Sequence, residues 1–415
     1  MVSEHAQYES ITQLRASPIL VLLLLSGVMF LARTISLMLA PLLIALAAEF
    51  QTTAALAGQL AAATYITWGI VAPLVGPISD TYGRRPVALM GLLLMGGGIL
   101  GSVMAWNYAS LLICRLLTGV GGAMAPPNSM AAISDHFPPA QRGTAVGWLF
   151  SASWLGAVIG VPLVGLLADV GGWRFPFYVL AGLIGLVWGC LWLWFPRHQL
   201  PATPRLDFAG RFQELSRTPG VWAVLVTNVL QQMTFFAMFT YLAAYLVQAY
   251  RMPTGETALA LALVGGGAMA GSLLGGRIAG HPRRLRVLAV SLLGSGMIAG
   301  VSFIVSTSAW IIVASASMVS ILASIGAPVL MTLMTELAGR SRATGIGMFG
   351  ASNQLGGVGG VLLGGVALSL GGFALIGLLC LGAATVAAAV VRWQVRDSAE
   401  FRQRMALPAG NRVAT

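Results

Sequence analysis

Long apolar runs alternate with short polar breaks along almost the whole chain. A bilayer core of ~30 Å takes ~20 apolar residues in a helix. By that measure twelve spans are predicted, at about 18–48, 54–75, 86–105, 109–134, 143–167, 173–195, 219–249, 257–280, 285–306, 308–334, 343–368 and 371–392. The run from Pro18 is too long for a signal-peptide core and lacks a small-residue cleavage site, so it is read as a retained first span. The longest interior break, 196–218, is rich in proline and arginine and reads as a linker. The predicted organisation is a polar segment 1–17, a six-helix half 18–195, the linker 196–218, a second half 219–392 and a tail 393–415.

The two halves share residues at a fixed offset of 200 without a gap. Arg142, Thr144, Gly147, Leu155, Gly156, Gly160, Val161, Gly165, Gly171 and Gly172 each recur 200 positions later, as do Gly76 and Arg84. The fold class expected is therefore an all-α polytopic membrane protein with two pseudo-symmetric six-helix halves.

Composition agrees. The 415 residues are 57% hydrophobic and 8% charged, with mean hydropathy +0.86. A soluble domain carries about 25% charged residues, so lipid must be the main solvent here. The net charge of +11 raises nucleic acid as a partner, but its distribution argues against that. Every basic residue is arginine, and all but four of the 23 fall in the termini and alternate loops. This is the positive-inside pattern, which places both termini in the cytoplasm. Cys114, Cys190 and Cys380 lie in apolar stretches without metal-ligand spacing and read as packing residues.

Between the second and third spans stands Gly76-Pro77-Ile78-Ser79-Asp80-Thr81-Tyr82-Gly83-Arg84-Arg85-Pro86. The pattern G-x-x-x-D-x-x-G-R-R resembles the loop signature of the major facilitator superfamily of secondary transporters. That resemblance covers essentially the whole chain. It implies halves that rock about a midplane site, with Asp80 facing the start of helix 11 and Arg84 pairing with an acid at the end of helix 4. Asp135 and Arg142 stand where family members carry such residues, so Gly76, Asp80, Gly83, Arg84, Arg85, Asp135 and Arg142 are the expected gating set. The plainer alternative is that Arg84 and Arg85 serve only the positive-inside rule.

Helix 4 carries Arg115-Leu116-Leu117-Thr118-Gly119-Val120-Gly121, similar to the family's R-x-x-Q-G-x-G motif with Thr118 in place of Gln. Helix 5 carries Gly156-Ala157-Val158-Ile159-Gly160-Val161-Pro162, similar to a motif of drug:proton antiporters and related exporters. Gly156 and Gly160 offer a smooth packing face, and Pro162 removes a helix hydrogen bond, which suits a helix that bends during transport.

Arg33 lies deep in the first span, where a charge against lipid is too costly. It either binds a polar or anionic substrate group or anchors a structural network. With Arg33, the expected substrate-binding residues are Arg115 on helix 4, Tyr65 on helix 2, Asn228, Gln231, Gln232, Phe235, Phe236 and Tyr241 on helix 7, and Asn353 on helix 11. Amides interleaved with aromatics make the mixed wall that small-molecule sites use. None of the twelve acids lies in mid-span, which disfavours cationic substrates and leaves protons only a candidate coupling ion.

The expected function is an inner-membrane exporter of a small neutral or anionic amphipathic compound, a drug or metabolite, working by alternating access. The alternative is an organic-anion importer or exchanger with Arg33 and Arg115 clamping the anion. No nucleophile–base pair or phosphate loop is visible, so no enzyme activity, cofactor or metal is expected. The family resemblance implies a monomer.

Overall fold

The computed structural model describes residues 18–137, 139–195, 208–305, 308–338 and 342–395, and every described element is helical. The first half holds α1 (Pro18–Leu37), α2 (Leu39–Glu49), α3 (Ala54–Tyr82), α4 (Arg84–Val103), α5 (Tyr108–Ala123), α6 (Ala125–His136), α7 (Pro139–Leu155), a π-helical turn (Gly156–Gly160), α8 (Val161–Gly171) and α9 (Phe175–Trp194). Then come α10 (Phe208–Arg217), α11 (Val221–Tyr250), α12 (Thr254–Ile278), α13 (Arg284–Val305), α14 (Ala309–Leu337) and α15 (Arg342–Trp393).

Among the described residues, 11 helical stretches are long and apolar enough to cross a membrane. The last, Thr344–Trp393, is 50 residues long and contains two of the twelve expected spans. It turns at Gly371 and Gly372, the latter at φ 69°. Gly172, 200 positions earlier, turns α8 into α9 at φ 72°. Both positions need the left-handed region that only glycine enters freely, so the internal repeat extends to backbone conformation.

Several boundaries depart from expectation, among them the expected span 109–134, which is divided at Met124. The second span runs on as helix to Tyr82, so most of the Gly76–Arg85 motif is helical and its turn shrinks to Gly83, at φ 92°. The first span is broken at Met38. Pro41 explains the break, since its nitrogen has no proton for the carbonyl of Leu37 and its ring crowds that carbonyl. Part of the expected linker forms α10, whose Leu215 is buried in the second half's core.

Within the first half α4 packs on α5 and α9, and α3 on α5; within the second, α11 packs on α15 and α12 on α14. The halves meet where α3 lies along α15, α8 along α12 and α2 along α11. Large apolar side chains such as Leu186, Leu193, Leu273 and Val290 point outward, as lipid-facing positions do.

The face carrying Arg84, Arg85, Arg283 and Arg284 is rich in arginine; the opposite face is poor in it. On the poor face the halves are sealed by Tyr241, whose hydroxyl donates to the carbonyl of Val361 at 2.8 Å. Its ring is seated on Gly58 of the first half and on Gly364 and Gly365 of the second. Beside it, the carboxylate of Asp169 at the end of α8 accepts from the backbone N–H of Gly255 in the first turn of α12.

Candidate functional site

The glycine face of helix 5 sets the position of Arg33. The Thr34 hydroxyl lies 2.9 Å from the carbonyl of Phe30 and 3.1 Å from that of Gly156. A side chain on Gly156 would stand 3.1 Å from the Arg33 Cβ, and one on Gly160 would overlap Thr34. Pro162 cannot donate, and the helix answers with a wide turn in which Val161 N–H reaches back to the carbonyl of Gly156. At the repeat position Gly356–Gly360, where Leu362 replaces Pro162, the helix stays regular. The π turn is therefore a property of the first half alone.

Held this way, the Arg33 guanidinium lies 4.6 Å over the Trp154 ring of α7 and 5.9 Å from the Phe235 ring of α11. One aromatic comes from each half, so the charge sits at their seam. Phe235 stacks on Phe239 at 5.6 Å and meets Phe236 edge-on at 5.3 Å; Phe236 lies 4.7 Å from Tyr65. The guanidinium makes no hydrogen bond or ion pair with any described residue, and its Nε is buried without a partner. Cation–π contacts are worth ~0.5–2 kcal/mol each. That is small beside the several kcal/mol an ion loses on leaving water.

Arg115 sits elsewhere. It is fully buried, with Nη2 donating to the carbonyl of Ile35 at 3.2 Å and Nη1 lying 3.9 Å from the Met38 sulfur. The Tyr65 hydroxyl donates to the carbonyl of Ser36 at 2.7 Å. Both side chains thus tie down carbonyls just before the Met38 break. Thr64 bonds the carbonyl of Arg115 and Thr67 that of Leu116, fixing α5 against α3. Arg115 and Tyr65 thus both donate to first-span carbonyls within three residues of Arg33.

Across the seam, Asn228 of α11 donates from Nδ2 to Ser352 Oγ and to Asn353 Oδ1, both at 2.7 Å. Gln231 turns its Oε1 toward Gly326 of α14, and Gln232 packs on Gly356 of α15. The structure thus places Arg33, Phe235 and Phe236 together, and Asn228 with Asn353. Tyr241 belongs to the seal on the arginine-poor face.

For the gating set, Gly76 lies within α3, and the side chains of Asp80, Asp135 and Arg142 lie outside what the structure describes. Arg84 Nη1 donates to Ser79 Oγ at 3.0 Å, Ser79 donates to Asn128 Oδ1 at 2.6 Å, and Asn128 donates to the Arg84 carbonyl at 2.8 Å. Arg85 donates to the carbonyl of Trp192 and lies 5.4 Å over its ring. At the repeat position, Arg284 forms a two-point pair with Glu336, at 3.0 and 2.8 Å.

Sequence reasoning missed Trp154, Thr34, Ser79, Asn128 and the pairing with Arg284 of Glu336, which it singles out only as a candidate proton carrier near a span end. Glu336 had a usable signal: it lies 200 residues after His136, beside the Asp135 expected to meet Arg84. Trp154 had none beyond its type.

Comparison with known proteins gives a consistent outcome. The family model described as Major Facilitator Superfamily matches residues 22–340. The chain is 26% identical over 369 residues to the MFS-type transporter YwfA of Bacillus subtilis (strain 168), covering 88% of this chain and 89% of the relative. It is 30% identical over 312 residues to the 3-(3-hydroxy-phenyl)propionate transporter of Escherichia coli (strain K12), covering 71% and 73%. A solved bacterial homologue of the human lysosomal transporter Spinster, inward-facing and occupied, superimposes with a TM-score of 0.73 at 17% identity, over 90% of this chain and 95% of that one. That last likeness is one of fold.

Proposed function

We propose a function from one premise: this chain belongs to the Major Facilitator Superfamily of membrane transporters. It carries a small amphipathic organic anion by alternating access, with Arg33 as the anion ligand at the seam between the halves. The supporting observation is the Arg33 guanidinium, held between Trp154 and Phe235 with no described carboxylate or carbonyl to neutralise it. A half-buried charge at this depth is stabilised by a counter-ion, and a substrate carboxylate has the planar two-oxygen geometry a guanidinium binds. The surrounding aromatic rings suit the apolar part of the same molecule. The relative from Escherichia coli named above transports an aromatic acid, which supports this class. We assign Arg115 to the bend of the first span, because its Nη2 donates to the Ile35 carbonyl and its Nη1 lies beside the Met38 sulfur, although its Nε is without a partner as that of Arg33 is.

The direction we assign is export from the arginine-rich, cytoplasmic side of an inner membrane. The likeness of the Gly156–Pro162 segment to exporter motifs supports it, and so does electrostatics. Moving one negative charge out of a negative-inside cell is downhill by ~2.3 kcal/mol per 100 mV. Such export needs no proton-carrying acid in mid-span, in keeping with the distribution of the twelve acids.

The test is ligand-induced thermal stabilisation of purified wild type and Arg33→Ala, with carboxylates and neutral isosteres matched in size. Stabilisation scales with occupancy of the folded state. Carboxylates are expected to stabilise wild type and not the variant. Equal stabilisation of both proteins by neutral compounds would reassign Arg33 to structure and make a neutral-amphipath exporter the better description.

A further inference from the structure

One outer corner of the second half, at its arginine-rich end, carries three exposed arginines. Arg283 and Arg286 stand at the start of α13, and Arg392 near the end of α15. None of the three side chains has a hydrogen bond or ion pair among the described residues. Glu336, the acid at this end of α14, is taken up by Arg284 at two points. The segment that follows in sequence, 396–415, has no surplus acid: Arg396, Arg402, Arg404 and Arg412 outnumber Asp397 and Glu400.

The packing of the two helices brings these arginines to one level. A side chain at Gly296 would overlap Ala384, and one at Gly300 would stand 3.3 Å from the Leu381 Cβ, so α13 and the last span of α15 run antiparallel. Continued from the first of these contacts by eight residues along each helix, the pairing sets Arg392 opposite Leu288. Arg286 is then about 3 Å further along the axis, and Arg283 lies just before the first helical residue. Packed helix axes are ~8–10 Å apart. At ~100° per residue, Arg286 lies within ~40° of Val290 and ~20° of Met297, both exposed; Trp393, also exposed, lies within ~20° of the exposed Val386. The charges therefore crown an apolar surface that faces lipid.

The internal repeat supplies a control. The positions 200 earlier than 283, 286 and 392 hold Gly83, Pro86 and Trp192, none of them charged. Arg85 of the first half, which leucine replaces at 285, is tied to the carbonyl of Trp192 and lies over its ring. The positive-inside pattern counts arginines by the side of the membrane and does not ask for three at one corner of one half.

We propose that this corner binds an anionic phospholipid. Its phosphate meets Arg283, Arg286 and Arg392, as guanidinium groups favour. Its acyl chains lie along the outward apolar surface of α13 and α15, and the Trp393 ring sits at headgroup level, where tryptophan is enriched. Basic clusters between membrane helices hold anionic headgroups in this way.

The experiment titrates the purified full-length protein in neutral-detergent micelles with phosphatidylglycerol, with phosphatidylcholine of the same chains, and with glycerol phosphate, which has the anionic group and no chains. Bound lipid is counted from the mass of the intact complex. Wild type is expected to retain phosphatidylglycerol over phosphatidylcholine, with about fivefold lost for each arginine removed. Arg286→Gln/Arg392→Gln is compared with Arg217→Gln/Arg251→Gln, which removes the same charge elsewhere and is expected to leave the preference unchanged. If the first pair does not fold, Arg286→Gln alone carries the comparison, with a fivefold loss expected. Equal retention of the two lipids by wild type overturns the inference. So does a preference that survives loss of Arg286 and Arg392, or one that falls as far in the control pair. Displacement of phosphatidylglycerol by an equal concentration of glycerol phosphate overturns the lipid as occupant.

Discussion

Substituting Gly160 by alanine tests how tightly helix 5 fixes the arginine-bearing span. The new Cβ would stand 2.7 Å from Thr34 Cγ2 and 2.9 Å from Thr34 Cβ, and would overlap Oγ1. Carbon atoms prefer ~3.5–4.0 Å. Thr34 cannot turn away freely, because a β-branched side chain in a helix has few rotamers and its hydroxyl lies between the carbonyls of Phe30 and Gly156. Overpacking of this kind costs ~1–3 kcal/mol, and losing the bond to Gly156 adds ~1 kcal/mol. Replacing glycine by alanine in a helix returns ~1 kcal/mol, so the net loss is about 1–3 kcal/mol. The assay is the unfolding free energy of purified protein in mixed micelles, measured as a cycle with Thr34→Ala. That second change removes Oγ1 and Cγ2 and leaves only the 2.9 Å approach of the two Cβ atoms. The double variant is expected to be no less stable than Thr34→Ala alone, a coupling of ~1–3 kcal/mol. Additivity within ~0.5 kcal/mol would refute the argument, since independent sites add.

Two more outcomes can be checked. Glu336→Gln breaks the two-point pair with Arg284, which is 6% exposed against 26% for the glutamate; the loss expected is ~2 kcal/mol in the same assay, below the 3–5 of a fully buried pair because water reaches the acid. Asp169→Ala removes the acceptor for Gly255 N–H between the halves and is expected to raise thiol labelling of a cysteine placed on the arginine-poor face several-fold, with Asp169→Asn in between because it keeps an acceptor oxygen; labelling equal to wild type in both variants would show that this contact does not help to hold the face closed.

Much of the fold was legible because lipid enforces it. A run of ~20 apolar residues has one stable form in a bilayer, so span positions followed from hydropathy and the 200-residue repeat from matching residues. The bend at Met38 was within reach through Pro41, yet the span's even hydrophobicity concealed it. At the site, Arg33 stood out because a deep charge violates the apolar pattern. The role of Arg115 did not, because bracing a bent backbone leaves no mark in spacing. The triangle of Ser79, Arg84 and Asn128 joins residues 49 and 44 positions apart. Such partners are set by which helices lie side by side, and the local sequence carries no record of that.

The seat of Tyr241 has a consequence for leakage. Its ring fills hollows left by Gly58 on one half and by Gly364 and Gly365 on the other. A ring fitted to such hollows has no favourable half-lifted position, because a partial displacement forfeits dispersion contacts on several sides at once. Packed interfaces of this kind switch between discrete arrangements. The barrier on that face is therefore whole until it parts, and water and small ions meet no intermediate aperture while the opposite face is open. A carrier with such a stopper offers water and small ions no continuous path through the membrane while its cargo site is exposed on the other side.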